Sequence, residues 1–269
     1  MGKRCGICEG SMVTFDTAMI LGKYNVTYWK CSDCGFIHTD TPYWLNEAYS
    51  SAIADTDIGL VSRNYNLSIK SSAVLKMCLP TAKNYLDFGG GYGMFVRLMR
   101  DAGFPFEWYD KYCNNLFAVN FDKKNDYYDV ITAFELLEHF PEPISDLEEL
   151  FSKGDNVLCS TSLVPDNVKQ VNDWWYFSPE TGQHVAFYTV KAMEQIARRF
   201  NRYYLGAGDF HLFSKKPLPI WKFRMAYRFS GMINKLIKRE GLLMADYEYV
   251  RSLTQNDIKR YIQKKAEQV

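Results

Sequence analysis

Long apolar runs are missing from this chain, and so is a strong excess of charge of either sign. No stretch of 18 uninterrupted apolar residues occurs, which excludes a membrane-crossing helix. A formal net charge of +1 over 269 residues argues against a large nucleic-acid footprint, because such surfaces draw on a basic excess. There is no internal repeat and no low-complexity segment. No secretory leader precedes Cys5, and seven cysteines cannot all pair, so a reducing, cytoplasmic setting is expected. Two nucleotide-binding signatures also fail. A G-x-G-x-x-G run counted from Gly89 meets Met94 at its last position, and counted from Gly91 it meets Val96; no Gly-Lys-Ser/Thr follows either. Histidine is scarce, at four residues, which draws notice to His139 and His184.

Core-forming material is plentiful, with 47% hydrophobic residues. At 31.3 kDa the chain has room for one full α/β domain with small additions. The most informative stretch is Asp87-Phe88-Gly89-Gly90-Gly91-Tyr92-Gly93. Tyr85 to Phe88 reads as a short buried strand and Met94 to Ala102 as a helix. A strand, a glycine turn and a helix in that order bring backbone N–H groups and a helix N-terminus to a ligand. Glycine is needed where the backbone touches that ligand or takes positive φ.

The D-x-G-x-G-x-G pattern resembles motif I of the class I S-adenosylmethionine (SAM)-dependent methyltransferases. Downstream residues extend the resemblance. Phe104 to Tyr109 reads as a second strand ending at Asp110, about 20 residues past the glycine loop, where such sheets set a carboxylate against ribose hydroxyls; a turn-capping Asp is the plainer alternative. Tyr128-Asp129-Val130-Ile131-Thr132-Ala133-Phe134-Glu135-Leu136-Leu137-Glu138-His139 is similar to the fourth-strand motif of the family. It implies Glu135 at the carboxyl end of a covered strand, facing cofactor or acceptor, and His139 at the start of the next helix. Glu138 and His139 are equally suited to capping that helix. Asp146 to Phe151 and Asn156 to Thr161 read as the next helix and strand. Asp122 is aligned with an adenine-binding position or is a solvated loop residue.

Cys5-x-x-Cys8 and Cys31-x-x-Cys34 form two paired knuckles, the spacing of a closed tetrahedral zinc site. Gly6 and Gly35 are expected to make the tight turns, with Val13, Phe15, Val26 and Tyr28 in a β-ribbon. A segment this small leans on metal for stability, and the metal is expected to be structural; disulfides are the alternative. In zinc-bearing members of the family, the region matching Thr41 to Thr81 covers the cofactor pocket, and Leu67 to Leu79 looks helical.

On the acceptor side, Trp174-Trp175-Tyr176 offers flat faces for a sugar or aromatic ring, or core packing. Gly182-Gln183-His184-Val185-Ala186-Phe187-Tyr188-Thr189 resembles the H-x-x-F-(F/Y)-T segment of small-molecule and sugar methyltransferases, with Thr189 capping a helix from Val190 to Phe200. His184 is a candidate general base or a loop-holding hydrogen-bonder. Tyr203 to Leu205 and Asp209 to Ser214 read as a closing antiparallel pair. Past Pro217 the resemblance ends. Trp221, Met225, Phe229, Met232, Ile233 and Leu236 then recur at helical spacing among Lys222, Arg224, Arg228, Lys235, Lys238 and Arg239. That basic amphipathic pattern suits packing on the domain or contact with an anionic membrane.

The expected fold is α/β, with a Rossmann-like seven-stranded sheet, an N-terminal zinc-binding β-ribbon and a C-terminal helical tail. Residues 1–40 would be the ribbon, 41–80 a helical linker or cap, 81–216 the methyltransferase domain and 217–269 the tail. The resemblance implies SAM as cofactor and a small, sugar-like acceptor, nucleotide- or lipid-linked. Gly89, Gly91, Gly93, Asp87, Asp110, Asp122 and Glu135 would hold the cofactor, and Glu135, His139 and His184 are the catalytic candidates. An RNA methyltransferase with a zinc RNA grip and a non-catalytic assembly protein are the rival expectations. The near-neutral charge and the absence of an Asn-Pro-Pro-Tyr motif weigh against the first, and the intact glycine loop against the second.

Overall fold

A computed structural model describes residues 2–49 and 58–266, with side chains to residue 260. Residues 50–57 of the expected cap lie outside the described residues. The chain opens with β1 (Met12–Ile20), β2 (Tyr24–Cys31) and β3 (Ile37–Thr39), followed by the single turn α1 (Leu45–Ala48) and the long α2 (Leu60–Cys78). The central run is β4 (Tyr85–Phe88), α3 (Met94–Asp101), β5 (Phe106–Tyr109), β6 (Tyr128–Phe134), α4 (Pro143–Ser152) and β7 (Gly154–Ser160). Then come β8 (Ala186–Phe187), α5 (Val190–Arg199), β9 (Tyr203–Ala207) and β10 (Phe210–Ser214), and the tail of α6 (Ile220–Arg228), α7 (Ser230–Leu236) and α8 (Leu243–Ala266).

The main sheet has the order β5-β4-β6-β7-β10-β9. Its first four strands are parallel, and β10 runs antiparallel to both β7 and β9. It has six strands among the described residues, where seven were expected. Outside β5, the place of the seventh is taken by a single parallel bridge between Trp108 and Asp122. The connecting segment, Lys111 to Asp126, holds too few alternating apolar residues for a further strand and folds as turns stapled by Asn115.

The central strands read as continuous apolar runs because helices cover both faces. Val130, Ile131 and Ala133 of β6 are fully buried. On one side α3 sets Phe95, Val96 and Met99 against Tyr85, Phe104 and Phe106; burying a side chain of this size stabilises by about 1.5–3 kcal/mol. The opposite side packs Leu147, Leu150, Phe151, Met193 and Ile196 from α4 and α5.

The ribbon is not a free-standing hairpin. β3 pairs with β8, Ile37 facing Phe187 and His38 facing Ala186, so a strand from the far half of the chain completes its four-stranded sheet. Gly35 takes φ +72° in the second knuckle as expected, but in the first knuckle the positive φ falls on Glu9 rather than Gly6.

The tail is three helices. α6 and α7 bury Phe223, Ala226 and Ile233 against the sheet-and-helix core that includes Leu75 and Cys78 of α2. Of the stripe read from the sequence only Ile233 is buried; Trp221, Met225, Phe229, Met232 and Leu236 are exposed. α8 is tied down near its start, where Asp246 meets Arg97 and Arg100 of α3. No helix among the described residues is long and apolar enough to cross a membrane.

Candidate active site

The glycine turn lies where β4 ends, between its two parallel neighbours β5 and β6. Gly89, Gly91 and Gly93 take φ of +75°, +54° and +84°, a region that side chains disfavour. A Cβ on Gly91 would meet nothing within 4 Å, so the space above the turn is open. Gly93 directly precedes α3, so the helix N-terminus begins at this turn.

Three predicted carboxylates surround the turn. Asp87 is 3% exposed; its Oδ1 accepts from Thr132 Oγ1 at 2.6 Å. Burial raises its pKa to about 7, against the pull of the Thr132 hydrogen bond. Asp110 Oδ2 accepts from the Gly91 N–H at 2.9 Å, and its Oδ1 accepts from the N–H groups of Tyr112 and Cys113 at 2.7 and 2.8 Å. The carboxylate thus braces the turn, in the manner of the plainer alternative, with lone-pair capacity left over for a ligand. Asp122 is exposed and accepts from Asn115 Nδ2 at 3.1 Å, and the other end of the Asn115 amide lies against Gly93.

A second group gathers just past the carboxyl end of β6. Glu135 sits at φ +48°, a conformation costing a non-glycine residue roughly 1–3 kcal/mol. Its Oε1 accepts from Ser160 Oγ at 2.6 Å, at the end of β7. Burial, and then the charge of Glu138, raise its pKa to about 7, against Ser160, Arg63 and His184. His139 is in a 3-10 turn, Leu137–His139, rather than at the start of α4. Capping does not explain Glu138: it is fully buried, and its Oε1 accepts from Tyr176 Oη at 2.6 Å. His139 and His184 stand edge to face, with ring centroids 4.9 Å apart. Burial, and then the neighbouring His184, hold His139 down to about 3, a neutral ring. His184 Nδ1 lies 2.7 Å from the Tyr176 carbonyl oxygen, the loop-holding contact that the sequence left open.

Tyr49, unassigned from the sequence, reaches this group from the segment before α2. Its hydroxyl lies 2.8 Å from His139 Nδ1 and its ring stacks on Tyr112 at 5.5 Å, beside the Asp110 turn. The aromatic triplet divides. Tyr176 is in the core and Trp174 packs against it, while Trp175 is 76% exposed. Only Trp175 presents a face to an outside ring.

The cysteines converge. Cys5 Sγ and Cys34 Sγ are 3.7 Å apart, and Cys8 Sγ and Cys31 Sγ 3.4 Å. Zinc–thiolate bonds of about 2.3 Å in a tetrahedron set sulfurs roughly 3.8 Å apart, so the four thiols fit the ion with little movement. The Cys34 hydrogen bond lowers the Cys5 pKa against burial, and the same bond raises that of Cys34, so the pair shares one proton that a metal ion would displace. These sulfur–sulfur separations are well beyond the roughly 2.05 Å of a disulfide bond.

A sequence model of the methyltransferase-domain family matches residues 64–204, just over half the chain. No curated protein matches it. Similar solved structures include an O-methyltransferase family protein from Burkholderia thailandensis (15% identity, 63% of this chain and 66% of that one, TM-score 0.41). Others are an O-methyltransferase family 2 protein from Planctomyces limnophilus DSM 3776 (14%, 64% and 65%, 0.43) and magnesium protoporphyrin IX methyltransferase from Synechocystis PCC 6803 (13%, 63% and 90%, 0.44). The chain spans a little under two thirds of the length of the first two.

Proposed function

The chain belongs to the methyltransferase-domain family, and from that premise we propose that it transfers a methyl group from SAM to a hydroxyl of a small, sugar-like acceptor. One observation carries the cofactor assignment: three positive-φ glycines shape the turn at the end of β4, and the middle one, Gly91, borders open space with Asp110 hydrogen-bonded to its N–H. In this reading residues 81–216 form the catalytic unit. The bound cofactor supplies an electrophilic methyl group on a sulfonium, whose carbon–sulfur electron pair leaves with sulfur as the acceptor oxygen takes the carbon. Gly89, Gly91 and Gly93 let the backbone approach it, Asp110 takes the ribose diol, Asp87 serves the methionine end and Asp122 the adenine amino group. Glu135 accepts the acceptor proton, with His139 and His184 beside it. Aligning the acceptor is the larger part of such catalysis.

The exposed face of Trp175, joined through Tyr176 to His184, supports a sugar ring as acceptor. Four convergent thiols support a structural zinc in the ribbon. Calorimetric titration of the full chain with S-adenosylhomocysteine tests the reading: saturable binding at one site per chain is expected, and none at concentrations far above a plausible Kd overturns it.

A further reading concerns the tail. Trp221, Met225, Phe229, Met232 and Leu236 remain exposed although α6 and α7 are packed, and basic residues flank them. That combination supports a peripheral contact with anionic lipid, which would bring a lipid-linked acceptor to the site.

A further inference from the structure

We propose that Glu138, His139 and His184 form a second metal site, holding a divalent transition-metal ion on the acceptor side of the glycine loop. Each side chain offers one ligand atom, and these atoms lie within 4.8 Å of one another.

Glu138 is 0% exposed. Tyr176 occupies its Oε1, while Oε2 is buried with no hydrogen-bond partner among the described residues. An unsatisfied buried acceptor of this kind is costly, more so when charged. A cation is a partner that removes the cost.

The two rings point to the same occupant. A carbonyl oxygen can only accept, so the Tyr176 O contact to His184 Nδ1 (2.7 Å) places a hydrogen there, and the Gln183 O contact to His139 Nδ1 (3.1 Å) is made in the tautomer with the hydrogen on that nitrogen, the Tyr49 hydroxyl 2.8 Å away then accepting beside it. Nε2 of each ring is then a bare lone pair. Orientation of the ligating nitrogen by a carbonyl on the other one is how proteins hold metal-binding histidines. Two imidazoles and one carboxylate leave coordination positions open, the arrangement of catalytic rather than structural ions, and suit zinc-class metals. Metal–ligand bonds of about 2.0–2.2 Å require the three atoms to draw closer than they now stand. Leu136, just before the cluster, lies 3.0 Å from where a Cβ on Gly89 would be, which sets the ion beside the cofactor loop.

The ion's role rests on the methyl-transfer reading, while its binding does not. An acceptor hydroxyl on the metal loses its proton more readily; the O–H electron pair stays on oxygen and the proton passes to Glu135.

The test uses the full chain, stripped with chelator, reloaded with excess Co2+ and desalted, next to His184→Ala and Glu138→Gln. The second variant keeps the shape of Glu138 and guards against a loop defect in the first. Cobalt per chain is measured by elemental analysis. Each variant is expected to hold one equivalent fewer than the wild type, with thiolate-to-cobalt charge-transfer absorption from the ribbon unchanged. Equal cobalt in all three overturns the site. S-adenosylhomocysteine titration of the same samples separates the two readings: binding with equal cobalt sinks the metal site alone, and a lost equivalent without binding sinks the methyl-transfer reading alone.

Discussion

The hydroxyl of Thr189 donates to the carbonyl oxygen of Cys34. The Thr189 hydroxyl oxygen in turn accepts from the Ala192 N–H at 3.1 Å as the N-cap of α5, so one residue joins the second cysteine knuckle to the helix that follows His184. With β3 paired to β8, the ribbon acts as a wall against which the 183–189 loop is laid. Thr189→Val is expected to lose the cap, worth about 1 kcal/mol, and to loosen the knuckle. Removing the proposed zinc with a chelator should raise hydrogen exchange across Ala186 to Ala192. Unchanged exchange there after metal loss would show that the ribbon does not support the loop.

Asp110 is the most direct test of the cofactor site. Its carboxylate holds the N–H groups of Gly91, Tyr112 and Cys113 together. Replacing it with Ala orphans three donors and removes the proposed acceptor for a ribose diol. A hydrogen bond to a charged group is worth about 1.5–3 kcal/mol net, so S-adenosylhomocysteine affinity should fall roughly 10- to 100-fold. Asp110→Asn keeps one acceptor oxygen and should fall less. Equal affinities for wild type and Asp110→Ala would discard the role.

Glu135 sets a pH dependence. With its pKa raised to about 7, first by burial and then by Glu138, it is protonated in acid and can accept a proton only as pH rises through that value. Turnover of the metal-free protein with saturating substrates should therefore climb from pH 6 to 8, given that a base must be ionised to act, and an ion on Glu138 would move that rise to lower pH. Glu135→Gln should be slow and flat across that range. A variant that is slow but keeps the wild-type rise would assign the titration elsewhere.

Much of this site was readable in one dimension because it follows local order. β4 has the bounds that Tyr85 to Phe88 suggested, and α5 ends one residue short of expectation. The glycine turn, Asp110 and Glu135 lie at strand ends, which apolar runs mark well. Glu138 was harder. Beside His139 and ahead of a proline-started helix it resembles capping chemistry, and only the fold shows Tyr176 meeting it from 38 positions away. Tyr49 likewise reaches His139 across 90 positions. The pairing of β3 with β8 has no local signature, since two strands of three and two residues carry almost no period. Aromatic content could not tell which of Trp174, Trp175 and Tyr176 would face outward, because all three suit a core equally.

The tail's exposed stripe predicts lipid binding. Full-length chain should pellet with phosphatidylserine-containing vesicles and less so as salt rises, since each basic residue near such a surface adds about 1 kcal/mol that salt screens. Trp221→Glu with Met232→Glu places charge on two exposed positions, 56% and 54% accessible, without touching buried Phe223 or Ile233. Co-sedimentation should drop markedly while thermal stability holds. Equal pelleting of both proteins would remove the membrane contact.

Asp246 anchors the last helix, and its chemistry predicts how the tail fails in acid. Its carboxylate oxygens accept from Arg100 Nη2 at 2.6 Å, Arg100 Nε at 2.8 Å and Arg97 Nη2 at 2.8 Å, while Arg100 lies 3.7 Å over the Phe121 ring. Burial by itself would raise the Asp246 pKa, but the hydrogen bonds and charges of Arg100 and Arg97 outweigh it and hold it below the ordinary 3.8. A carboxyl with a depressed folded-state pKa stabilises above its unfolded value and loses that contribution as pH falls through the folded one. Asp246→Asn leaves Arg100 buried without its charge partner, a change that costs about 3–5 kcal/mol in comparable pairs. The stability gap between wild type and variant, from urea unfolding, should therefore be constant above about pH 5 and shrink below pH 4 as the wild-type carboxyl protonates. A gap that stays the same down to pH 3 would mean that the pair is held by packing of α8 rather than by charge.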